Sequence, residues 1–150
     1  MEKTLIDLVK KAEEFHGHLG PFLVLGLKAG LFGLKKLKID KNKNKELLTT
    51  AMLDYSIPFS CIIDGLQIST GCTIGNKRLI VKNSSNFLIE FFNKKDNKRI
   101  AILIDQKILN RIRDELKAEN KNSKKVLELA EKIVSMVDDE LFIIHENNLD

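Results

Sequence analysis

The chain has 150 residues, 43% of them hydrophobic and 31% charged, with 25 Lys and Arg against 21 Asp and Glu for a net charge of +4. That length predicts a single domain, residues 1–150, able to bury a core of its own without staples. The small positive excess lies in Asn-Lys runs such as KIDKNKNKE and NKKDNKR, there is no Trp and one Tyr, and no apolar run approaches the roughly 20 residues of a membrane span, so nucleic-acid binding and membrane insertion are not expected.

Residues Met1 to Lys11 carry charges throughout and do not read as a signal peptide, which makes the cytoplasm the expected location. In that compartment two cysteines argue against a structural disulfide. They leave buried small hydrophobes, metal ligands or redox chemistry.

Leu5, Leu8, Val9, Ala12 and Phe15 recur at helical spacing and predict a first amphipathic helix over 3–15. It stops at His16-Gly17-His18. Pro21 suits the first turn of a second helix running to about Leu37. Gly26, Gly30 and Gly33 fall on or near one face of it, where small residues let another backbone approach, as across a dimer. Residues 39–45 form a polar loop, and Glu46 to Tyr55 a strand. A third helix is expected over Phe59 to Ser69, with Gly71 as its left-handed cap. Strands at Arg78–Lys82, Asn86–Asn93 and Lys98–Ile104 read as an antiparallel meander. Helices over Gln106–Ala118 and Ser123–Met136 and a short closing strand in Glu140–His145 complete an α+β fold, its mixed, mainly antiparallel sheet covered by helices on one side.

The residues suited to chemistry cluster in two places. His16 and His18 flank a glycine that permits unusual backbone angles, and imidazole nitrogen is a common metal donor. Cys61 opens the third helix, where the macrodipole favours a thiolate. Cys72 lies just past the same helix. A helix of about ten residues separates its ends by roughly 15 Å, so both thiols reach one ion only if the chain after Ser69 folds back. Asp64 and Gln67 share the face of Cys61. Asp64 suits a ligand, an acceptor orienting a histidine, or a cap. Thr70 and Thr73 can donate to a thiolate or substrate oxygen, and Lys77 with Arg78 offers cations to an anion. Tyr55 reads as a buried tyrosine with a satisfied hydroxyl, or as a proton donor. Phosphate loops, nucleophile elbows and repeated CxxC pairs are missing from the sequence.

Two blocks, FHGHLGPFLVLGLKAG (15–30) and CIIDGLQISTGCTIGNKRL (61–79), resemble the FmdE family, named for the E component of formylmethanofuran dehydrogenase. The second fixes C-x-x-D-x-x-Q-x-x-T-G-C-T-x-G-N in order. The resemblance covers about residues 5–105, with helices over about 106–138 and the end strand less diagnostic. It implies a fold like the catalytic domain of glyceraldehyde phosphate dehydrogenases and an archaeal or anaerobic bacterial source. It also implies zinc or another divalent transition metal within His16, His18, Cys61 and Cys72. Many members carry H-G-H-x-C-P, with a cysteine where this chain has Gly20. The family name implies a link to methanogenesis and to molybdenum or tungsten enzymes, the chain being an accessory subunit or a metal- or cofactor-handling factor, and a homodimer is expected. The alternative is a stand-alone metalloenzyme with an open coordination position.

Overall fold

The structure is a computed structural model that describes residues 3–40, 45–118 and 123–145. Its elements are α1 (Lys3–His16), α2 (Pro21–Leu37), β1 (Leu47–Leu53), α3 (Cys61–Thr70), β2 (Leu79–Asn83), β3 (Leu88–Asn93), β4 (Lys98–Ile104), α4 (Gln106–Ala118), α5 (Ser123–Ser135), α6 (Asp138–Leu141) and β5 (Phe142–His145). Both helices that flank the His-Gly-His segment lie where the periodicity puts them. The expected polar loop falls partly on residues 41–44, outside the described residues.

The five strands form one mixed sheet in the order β2-β1-β3-β4-β5. The expected meander needs a correction here. β3, β4 and β5 do follow one another antiparallel, but β2 lies on the far side of β1 and parallel to it, with Ala51 opposite Val81. The reason is α3. Parallel neighbours need a crossover, and α3 supplies it between β1 and β2. Residues 83–85 therefore carry the chain past β1 to β3 instead of closing a hairpin.

One face of the sheet is packed under helices. Leu47, Thr49, Ala51 and Leu53 of β1 and Ile89, Phe91 and Asn93 of β3 alternate inward. Their neighbours Leu48, Met52, Leu88 and Phe92 lie on the other face and are half-buried. α2 is the central helix. Every residue from Pro21 to Gly30 is buried, as expected of a helix that is apolar almost all round. Its Lys28 is the exception, and the fold answers it. Nζ donates to the carbonyls of Ile133 (3.2 Å), Val134 (3.0 Å) and Met136, at the C-terminal end of α5. Burial still pushes the Lys28 pKa down, against the attraction of Asp138 and Glu140.

The glycines on α2 serve packing within the chain. A Cβ at Gly26 would overlap the Ile62 carbonyl oxygen, and one at Gly65 of α3 would overlap the Leu23 carbonyl oxygen. The two backbones therefore cross in contact. Gly33 makes room for the Phe91 ring in the same way. The surface that suggested a dimer is spent on α3 and the sheet.

Gly65→Ala should lower stability by about 1–3 kcal/mol in urea unfolding, because overpacking against backbone outweighs the roughly 1 kcal/mol gained in helix propensity. Gly75→Ala, whose Cβ would meet only Thr73 Oγ1 at 3.8 Å, should leave the midpoint almost unchanged. Equal midpoints for the two variants would refute the close-crossing account.

Candidate functional site

α1 ends on His16, and Gly17, at a φ of +102, turns the chain away. Leu8 and Ala12 of α1 pack with Leu23 and Leu27 of α2, and Ile68 of α3 closes this small cluster. That packing sets the end of α1 over the first turns of α3. There His16 Nδ1 donates to Asp64 Oδ2 at 2.6 Å. The carboxylate has no proton to give, so the ring nitrogen is the donor. His16 Nε2 is then left buried with no hydrogen-bond partner among the described residues. A buried imidazole nitrogen carrying a free lone pair is poised to bind a metal ion or take a proton.

His18 is exposed, and its ring centroid lies 4.7 Å from that of His16. The space at Gly20 opens onto it: a Cβ there would sit 3.6 Å from His18 Nε2. A thiol introduced at this position would thus stand beside His18.

Cys61 is half-buried and precedes Asp64 by one turn on α3. Burial pushes its thiol pKa up, the Asp64 charge adds to this, and a backbone N–H opposes both. Without a cation nearby, the thiol keeps its proton at neutral pH. The thiolate expected from the helix dipole is therefore corrected: desolvation and the carboxylate outweigh the dipole.

Cys72 is not brought to this group. It is fully buried in the main core, and its sulfur donates to the Leu47 carbonyl oxygen at 3.3 Å. After Gly71, at a φ of +77, the chain makes a turn alongside the end of α3, with the Ile74 N–H on Gln67 Oε1, before β2 begins at Leu79. Among the described residues no three or more His, Cys, Asp and Glu side chains converge as a ready metal cluster. The donors that could meet an ion are His16, with the His18 ring beside it, and Cys61, one turn before Asp64 on α3; the Cys72 sulfur is bonded to the Leu47 carbonyl oxygen.

The remaining candidates divide in the same way. Gln67 belongs to the site: Nε2 donates to Asp64 Oδ1 at 3.3 Å, and Oε1 accepts from the Ile74 N–H at 3.0 Å. Thr70 ends α3, with Oγ1 donating to the Leu66 carbonyl oxygen and accepting from the Cys72 N–H. Thr73 shapes the following turn by exchanging bonds with Asn76. Lys77 is exposed at a φ of +62, and Arg78 Nη2 donates to the Gly71 carbonyl oxygen. Tyr55 is 60% exposed, which corrects the expectation of a buried tyrosine. Asn76 escaped sequence reasoning as the organiser of its turn. Its side chain also donates to Gly71, and only its place in the Gly75–Arg78 turn signalled it.

Comparison with known proteins adds three findings. Residues 15–143 match the family model described as "FmdE, Molybdenum formylmethanofuran dehydrogenase operon". A protein of Archaeoglobus fulgidus named a probable S-adenosyl-L-methionine-binding protein is 29% identical over 140 residues, 89% of this chain. The chain spans about a third of that relative's length (34%), and the binding in its name is a property of that protein. A crystal structure of a tungsten formylmethanofuran dehydrogenase FmdE-like protein from Syntrophus aciditrophicus is 19% identical. It aligns with a TM-score of 0.59 over 97% of this chain and 73% of its own, which establishes the fold.

The raised thiol pKa gives a kinetic signature. At pH 8 Cys61 should react with iodoacetamide several-fold more slowly than a free thiol, with a rate that keeps rising with pH beyond the ordinary thiol range. Asp64→Asn should speed the reaction, and an unchanged or slower rate would show that the Asp64 charge does not reach Cys61.

Proposed function

The chain belongs to the FmdE family, and from that premise we propose that it is a metal-binding protein holding zinc or another divalent transition ion at His16 and His18 beside the start of α3. The observation that carries this reading is the buried, unpartnered Nε2 of a histidine whose other nitrogen is held by Asp64. Metal-ligating imidazoles typically donate their second N–H to a carboxylate, which fixes the ring and raises its basicity. Cys61 is the thiol donor, and Cys72 remains a core residue.

A bound ion supplies Lewis acidity at its open positions. The chain's own residues do the rest. Asp64 orients His16 and Gln67 holds Asp64. Cys61 must release its proton before its sulfur can serve as a donor, so binding tightens as pH rises. The family's description ties it to formylmethanofuran dehydrogenase, and on that basis the chain is read as an accessory subunit or a metal- or cofactor-handling factor for that type of enzyme. The second reading, a small metalloenzyme in its own right, draws on the exposure of His18 and the half-exposure of Cys61 and Asp64, which leave the site open to a water or substrate.

Zinc titration against a chelating dye tests the site. His16→Ala and Cys61→Ser should each weaken binding by at least about tenfold. Cys72→Ser should leave affinity intact, and Gly20→Cys should tighten it by placing a thiol beside His18. Equal affinity in wild type and His16→Ala would overturn the proposal.

For partners, the half-exposed sheet face with Leu48, Met52, Leu88 and Phe92 is the surface for a homodimer. Light scattering should give twice the 17.1 kDa chain mass, and a monomer would end that part of the reading. Tagged chain purified from its host should bring down components of formylmethanofuran dehydrogenase, and repeated recovery of the chain alone would count against the accessory role.

A further inference from the structure

We infer that Gln67 is a positioning residue that fixes, through Asp64, which nitrogen of His16 faces the site. The inference rests on reading His16 as the anchoring donor.

The direction of each bond follows from one backbone group. The Ile74 N–H can only donate, so the Gln67 atom 3.0 Å from it is the oxygen. The other end of the carboxamide is then the NH2, and it faces Asp64 Oδ1. Asp64 therefore accepts at Oδ1 from Gln67 and at Oδ2 from His16. An imidazole that donates through Nδ1 carries its lone pair on Nε2, the buried nitrogen without a partner among the described residues. Reversing any link would set donor against donor or acceptor against acceptor.

Asp64 needs this hold. Its side chain is 33% exposed, so a carboxylate tied only to His16 can turn towards water. Gln67, three residues on, sits beside it on the same helix face, and its far end is tied to a turn that cannot easily shift. That turn is closed by the reciprocal Thr73–Asn76 bonds and by Asn76 and Arg78 donating to the Gly71 carbonyl oxygen. The segment 71–78 thus serves as a fixed frame for a histidine on a different helix. No substitute reproduces both ends. Glu keeps the acceptor for Ile74 but sets a second carboxylate against Asp64, and Met keeps the length but offers neither group.

The test is the tautomer of His16 in metal-free protein, read from its two ring-nitrogen chemical shifts by long-range proton–nitrogen correlation at alkaline pH, where imidazoles are neutral. Wild type should be predominantly Nδ1–H. Gln67→Met and Gln67→Glu should each raise the Nε2–H fraction at least threefold, in the direction given by Asp64→Asn, while the backbone amide spectrum shows a native fold. Zinc affinity of Gln67→Met should fall about tenfold. If Asp64→Asn shifts the tautomer and neither Gln67 variant does, Gln67 has no positioning role. If zinc does not bind wild type but the tautomers shift as expected, the metal reading fails and this inference stands.

Discussion

The site depends on how closely α3 lies against α2. Gly26 and Gly65 strip the side chains from the crossing, so that carbonyl oxygens of each helix occupy the space where the other's Cβ would be. With any larger residue there, α3 would have to move outward. Asp64 and Cys61 would move with it, away from the end of α1. A hydrogen bond of 2.6 Å between His16 and Asp64 tolerates little displacement, because such bonds weaken steeply with distance and angle. The glycines are therefore what place a carboxylate from one helix against a histidine from another. Their cost in helix propensity is offset by the burial of α2, whose first ten residues are shielded from water.

Given that placement, charge divides the work among the polar groups. Asp64 pulls in opposite directions on its two neighbours. It accepts a hydrogen bond from His16 Nδ1, which leaves the lone pair on the buried Nε2 for a ligand. It also repels a negative charge on Cys61, which burial already disfavours. Without a cation the site holds a neutral thiol and an available imidazole lone pair. A divalent ion reverses the logic for Cys61, since its charge favours the thiolate. On the proposed reading, ion binding at these few residues would be coupled to release of one proton. The Cys72 sulfur has a partner of its own in the core, the Leu47 carbonyl oxygen.

Much of this was legible in the sequence, and the parts that were not have physical reasons. Helix periodicity located α1 and α2 closely, since their apolar stripes are long. The spacing of Cys61, Asp64 and Gln67 placed them on one helical face, and the reading of Asp64 as an acceptor for a histidine matches the contact with His16. Strand pairing was not legible. A five-residue strand such as β2 carries no signal of its neighbour, and the crossover that makes it parallel to β1 is tertiary. The place of Cys72 was hidden for the same reason: its spacing from Cys61 does not say that its sulfur comes to rest against the Leu47 carbonyl oxygen in the core. Nor does a sequence show that a side-chain amide links a turn to a carboxylate. That link depends on where Ile74 comes to rest.

The most direct test of the central claim is X-ray absorption at the zinc edge of the loaded protein. A histidine-led site at the α1–α3 junction predicts imidazole nitrogen scattering with no more than one sulfur at about 2.3 Å, any remaining positions being filled by lighter oxygen or nitrogen donors. Two sulfur ligands would bring Cys72 out of the core and into the site. That result would contradict both the proposed donor set and the placement of the chain after α3.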